Sequence, residues 1–130
     1  MPASTKPRLT LRIDLGPGQS IGPGKMRLLE AVAETGSISS AGRALGMSYR
    51  RAWMLIEQMN LGFRRKVVTT QLGGTHGGGA RLTPFGEDVL KRYRAIESKA
   101  ESGAKSHLAV LARAMKPGKA APVKRTRLSR

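Results

Sequence analysis

Cysteine is absent from the 130 residues. That removes disulfide frameworks, thiolate metal sites and thiol catalysis together, and gives no hint of an oxidising compartment. Aromatic residues are scarce at 4%, so a core must be built from the aliphatic part of the 39% hydrophobic fraction. Long apolar runs are missing too. The N-terminal "MPASTKPRLT" has no signal-peptide core, and nothing elsewhere approaches a membrane span. A cytoplasmic location is the expectation. Acidic residues number only 8 against 24 Lys and Arg, for a net charge of +16. Such an excess points to a polyanionic partner, nucleic acid first. The stretch from Lys116 onward holds basic residues and no acid, yet residues 1–115 still carry +10.

What is present has a readable order. "RLTLRIDL" alternates, with Leu9, Leu11, Ile13 and Leu15 on one side and Arg8, Thr10, Arg12 and Asp14 on the other. That period of two predicts a half-buried strand, ended by the turn formers of "GPGQSIGPG". From Lys25 the period becomes helical. Met26, Leu29, Val32 and Ala33 share a face, and Gly36 closes the helix. Ser37 is a natural N-cap for a short helix with Ile38, Ala41 and Leu45 inward, stopped by Gly46. Ser48 caps the next helix, to Asn60, with Ala52, Leu55 or Ile56, and Met59 inside. Two short helices around a tight glycine turn have the sequence shape of a helix-turn-helix.

Arg50 and Arg51 sharpen that reading. They sit in the first turn, where the helix dipole is positive and each charge costs roughly 0.3–1 kcal/mol. The placement makes sense if this helix end meets phosphates or guanine edges. Arg64, Arg65 and Lys66 follow the helix and suit the flanking DNA backbone, a solvated charge run being the plainer alternative. Tyr49 is left open between phosphate hydrogen bonding and rim packing. Trp53, at the edge of the buried face, is expected to pack against the strands that follow.

Those strands are "VVTT" and "ARLT", with "GGTHGGG" between them. A phosphate-cradling loop would end in Lys-Ser or Lys-Thr and open a helix; here the glycines lead into a second strand. They are read as the tip of a β-hairpin, with His76 and Arg81 supplying contacts. Thr83 then caps a helix with Pro84 at its first position and the stripe Phe85, Val89, Tyr93, Ile96, Ala100. A helix-turn-helix followed by a hairpin is a winged helix: a mainly α fold with a small β-sheet. The expected division is a flexible arm over 1–7, the winged helix-turn-helix over 8–102, a candidate C-terminal helix over 103–116 and a disordered basic tail over 117–130.

With "GSISSAGRALGMSYRRAWMLIEQMN" followed by "GGTHGGGARLTPFG", the chain resembles the N-terminal DNA-binding domain of the ModE-type molybdate-responsive transcriptional regulators, from about Leu9 to Ile96. It is similar, more weakly, to the LysR-type winged helix-turn-helix. The resemblance implies a homodimeric regulator of transcription that enters the major groove of duplex DNA with the helix beginning at Ser48. It also implies that Ser48, Tyr49, Arg50 and Arg51 read or clamp DNA. Full members carry a C-terminal molybdate-binding region. "PGKAAPVKRTRLSR" is too short, basic and proline-rich to form one, so a short form is expected, without molybdate binding.

No catalytic constellation is found. His76 and His107 are too far apart in sequence to suggest a metal pair, and Glu30, Glu34, Glu57, Glu87 and Asp88 fit solvent faces or dipole positions. The expectation is therefore a non-enzyme without cofactor or metal. Dimer contacts are expected from the Pro84–Ala100 helix, from Leu108, Leu111 and Met115, and from a pairing of Leu9–Leu15. The runner-up reading is a non-specific architectural, nucleoid-associated DNA-binding protein, which a +16 chain would also suit.

Overall fold

The computed structural model describes residues 6–71 and 79–117. Its elements are β1 (Ile13–Gly16), β2 (Gln19–Ile21), α1 (Pro23–Thr35), α2 (Ile38–Ala44), α3 (Tyr49–Gly62), β3 (Val68–Gln71), β4 (Gly79–Leu82) and α4 (Pro84–Arg113). The strands form two separate antiparallel hairpins, β1–β2 and β3–β4, where one small sheet was expected.

α1 lies at the centre. Met26, Leu28, Leu29, Ala31 and Val32 are all buried, a wider stripe than four residues of one face, while Ala33 is exposed. α1 is contacted by α2, α3, α4 and β4, which is why so much of its circumference is apolar. Gly36 ends it with φ 77° and donates its N–H to Val32 O, a left-handed cap that favours glycine.

The Ser37 hydroxyl accepts from Ser40 N at 2.9 Å and starts α2. A Cβ on Gly42 would stand 3.2 Å from Ala52 Cβ and from Met47 O, so glycine lets α2 and α3 approach. The Ser48 hydroxyl accepts from Arg51 N at 3.1 Å and starts α3, whose inner face is Ala52, Ile56 and Met59. α3 runs two residues past the expected end at Asn60.

The N-terminal segment keeps its alternation only in part. Leu9, Leu11 and Ile13 are half-buried, but Leu15 is 51% exposed. The partner of β1 comes from the segment read as a pure turn: Ile13 pairs with Ile21 and Asp14 with Ser20. Leu11 is held from the other end of the chain, its carbonyl accepting from the Tyr93 hydroxyl at 2.7 Å. Lys25 closes the same corner by donating to Ser20 O at 2.7 Å. Burial, and then the Arg12 charge, hold its ammonium below the ordinary lysine value.

α4 is one helix of 30 residues that passes the expected boundary at 102–103 without a break. Its buried face, Gly86, Val89 and Tyr93, is confined to the N-terminal third, and Ile96 is already 45% exposed. Arg94 ties this third to α1, donating to Glu30 at 2.7 Å and to Glu97 at 2.8 Å. Those two carboxylates raise its pKa above the ordinary arginine value. The start of α4 is fixed by Thr83, whose hydroxyl accepts from Gly86 N and donates to Lys66 O. At Gly86 an added Cβ would run into the carbonyl of Val67, which belongs to backbone and has little room to give. Gly86→Ala is therefore expected to cost about 1–3 kcal/mol. Urea unfolding measures this, and an unchanged midpoint would show that the contact yields.

Candidate nucleic-acid interface

α2, the Gly46 turn and α3 form the helix-turn-helix, and β3–β4 is the wing beside it. About 100° of rotation per residue places Arg50, Met54, Glu57 and Leu61 opposite the buried Ala52, Ile56 and Met59. Arg50 and Arg51 are exposed, Met54 is 45% exposed and Tyr49 56%. Tyr49 thus stands open at the helix start.

Trp53 corrects the expectation. It is 43% exposed, so it does not serve as a buried anchor against the wing. The hydrophobic link between helix and wing is made elsewhere, by Val67 and Val68, both essentially buried, and by an edge-to-face pair of Phe63 and Phe85 at 5.3 Å. Arg65 lies over Phe85 at 5.0 Å, a cation–π contact that gives its guanidinium a fixed place.

Asn60 is a positioning residue that the sequence reading did not single out. Its Oδ1 accepts from Val67 N at 2.8 Å and from Val68 N at 3.3 Å, and its Nδ2 donates to Val68 O at 3.1 Å. One amide thereby locks the start of the wing to the last turns of α3. The signal available was a carboxamide near a helix end, two residues before Gly62.

The wing ladder runs Val68–Leu82, Thr69–Arg81, Thr70–Ala80 and Gln71–Gly79, with Arg81 exposed opposite Thr69. The wing base is anchored on α1, because Ala80 donates its N–H to Gly36 O at 2.9 Å. His76 and the glycine tip lie outside the described residues, as does the tail beyond Pro117.

Charge pairing is uneven over this surface. Asp14, Asp88, Glu30 and Glu97 pair with Arg12, Arg92 and Arg94, on β1, α1 and α4. Among the described residues, the side chains of Arg50, Arg51, Arg64, Lys66 and Arg81 make no ion pair or hydrogen bond. Glu57 is the single carboxylate on α3. Among the described residues, these five side chains of the helix-turn-helix and wing therefore keep their positive charge unpaired. Among the described residues there is no group of three His, Cys, Asp or Glu able to hold a metal, and no helix long and apolar enough to cross a membrane.

Comparison with known proteins agrees with this architecture. The profile of the bacterial regulatory helix-turn-helix proteins of the lysR family matches residues 24–87. The molybdenum-pterin-binding protein MopB of Rhodobacter capsulatus is 46% identical over 81 residues, 62% of this chain and 30% of that protein. The molybdenum transport protein ModE of Azotobacter vinelandii is 35% identical over 92 residues, 71% of this chain and 34% of that protein. A protein described as the DNA-binding transcriptional dual regulator ModE of Escherichia coli K12 is 38% identical over 71 residues, 55% of this chain and 27% of that protein. The chain thus spans about a third of the length of the curated relatives it matches. Among solved structures, the CbnR DBD in its DNA complex has a TM-score of 0.50 at 23% identity, covering 67% of this chain and 95% of that one. That likeness shows the fold, a winged helix-turn-helix. Over residues 24–87 the chain thus carries a helix-turn-helix region that matches the lysR-family type and is similar in sequence to the ModE-type proteins.

Proposed function

We propose that this protein is a DNA-binding regulator of transcription that enters the major groove with the first turns of α3 and lays its wing along the backbone. One observation carries the reading: two exposed arginines, unpaired among the described residues, occupy the first turn of the second helix of a helix-turn-helix. They oppose the helix dipole, so folding alone gives no reason for them. Arg50 and Arg51 take the base-reading role, and Ser48 holds their turn through its bond to Arg51 N. Tyr49, Arg64, Arg65, Lys66 and Arg81 take phosphates. Arg65 does so from its seat on Phe85, and His76 keeps the wing-tip role read from the sequence. No residue is assigned a catalytic role, and the working compartment is the cytoplasm, where such regulators meet their DNA.

Competition between a selected duplex and random DNA at one salt concentration tests the proposal. A preference of roughly a thousandfold or more marks a site-specific regulator. Equal affinity for every duplex would favour an architectural protein instead. Arg64→Ala should weaken all sequences alike and reduce the salt slope by about one, the signature of a phosphate contact. A changed site preference in that variant would move Arg64 among the reading residues.

The active form is proposed to be a homodimer. Beyond Tyr93, α4 presents Ile96, Val110 and Leu111 at 45–63% exposure, followed by Met115. A second copy would cover these side chains and bring two reading helices to a two-fold site. Sedimentation equilibrium at micromolar concentration should give twice the chain mass. A monomer that still bound one half-site tightly would refute the dimer.

A further inference from the structure

On the outer side of α3 lies a shallow depression of about 180 Å³, lined by Ser48, Arg50, Arg51, Met54, Leu55 and Gln58. Its lining is of two kinds. Arg50, Arg51 and Gln58 bring side-chain N–H donors, whereas Met54 and Leu55 are apolar. Met54 faces away from the core and is 45% exposed, and Leu55 is half-buried beside it. A lone exposed methionine would mean nothing. This one is set among donors that make no hydrogen bond or ion pair among the described residues, on the helix that carries the proposed reading face.

We propose that this depression receives the 5-methyl group of a thymine, with Met54 and Leu55 as its apolar part and the two arginines on the neighbouring bases. The inference rests on the DNA-reading assignment above and adds a base identity to it. In the major groove the thymine methyl is the one apolar group that base edges present, while guanine offers the O6 and N7 acceptors that arginine takes in pairs. Apolar side chains and guanidinium donors in one lining match a thymine next to a guanine. Gln58, one turn further on, matches an adenine edge by its paired donor and acceptor. Methionine suits the task because its unbranched thioether adapts to an irregular contact.

The experiment uses the full chain and the best duplex drawn from a random pool. Each thymine of that site is replaced in turn by deoxyuridine, which lacks the methyl group, and binding is followed by anisotropy of the labelled duplex. At one thymine per half-site the affinity should fall about fourfold, the worth of one buried methyl-sized group. 5-Bromodeoxyuridine, with an apolar substituent of similar size, should restore it. Met54→Ala should be indifferent to the same replacement, and Met54→Leu should keep the sensitivity. Neither variant touches the buried face of α3, and matching thermal melts confirm that both are folded. A selected site without thymine overturns the proposal, as does an absence of methyl dependence or a Met54→Ala protein that keeps it. These failures leave DNA reading standing. A chain that prefers no duplex removes that reading and this proposal with it.

Discussion

Replacing Arg50 and Arg51 together by alanine is expected to remove about 2–6 kcal/mol of sequence-specific binding, taking each bidentate guanine contact at about 1–3 kcal/mol. The same change should leave folding intact or slightly improve it. Both side chains are exposed and without partners among the described residues, and each positive charge in the first turn of α3 works against the helix dipole by roughly 0.3–1 kcal/mol. The cap survives, since the Ser48 hydroxyl accepts from the backbone N–H of residue 51 and not from its side chain. Binding and stability should thus move in opposite directions in one variant. A defect of folding cannot produce that pattern, because it would lower both. Anisotropy titration on the selected duplex, beside a thermal melt, measures the pair. Unchanged affinity would remove α3 from the reading role.

Where the chain announces its own turns, the sequence was legible. Ser37, Ser48 and Thr83 each precede a helix and each cap it through the expected hydroxyl, and Gly36 and Gly46 take positive φ where helices stop. These are signals within four residues of their effect. β2 carried none: Gln19, Ser20 and Ile21 lie among glycines and form a strand only because β1 folds back on them. The boundary expected at 102–103 falls inside α4, at Gly103. Its surroundings are open and its φ is not positive, so the surface helix absorbs a glycine cost of about 1 kcal/mol and continues.

Trp53 was misjudged and Asn60 was passed over, for related reasons. A large aromatic at the margin of a helical stripe suggests burial, but the space beside α3 is filled by Val67, Val68 and the Phe63–Phe85 pair. Asn60 looks like a solvent-facing residue, and its bonds are to backbone seven and eight positions away, which no period of 3.6 encodes. The basic residues of the proposed interface were named from the sequence because charge needs no partner to be noticed. Met54 and Gln58 escaped because each is ordinary on a helix surface until its neighbours are placed around it.

The second large effect is expected at Asn60. Asn60→Ala removes three hydrogen bonds at once and leaves the N–H groups of Val67 and Val68 without this acceptor in a region where both residues are buried. A buried donor stripped of its partner costs about 1–3 kcal/mol, so the variant should lose about 2–5 kcal/mol of stability. For a domain of this size each kcal/mol moves the melting temperature by roughly 4–8 °C, which makes the effect easy to measure. Asn60→Asp separates the components. It keeps an oxygen for the two N–H groups but sets a second oxygen against Val68 O, so its loss should be smaller than that of alanine. DNA binding should follow a different rule from the arginine variants. With the wing no longer fixed to α3, the phosphate contacts proposed for Arg81 and its neighbours should weaken on every duplex, while the bases preferred by α3 should stay the same. Affinity should fall uniformly across sequences, and the salt slope should fall with it. If Asn60→Ala instead melts like the unaltered protein, the wing is held by its apolar contacts alone and the carboxamide is dispensable.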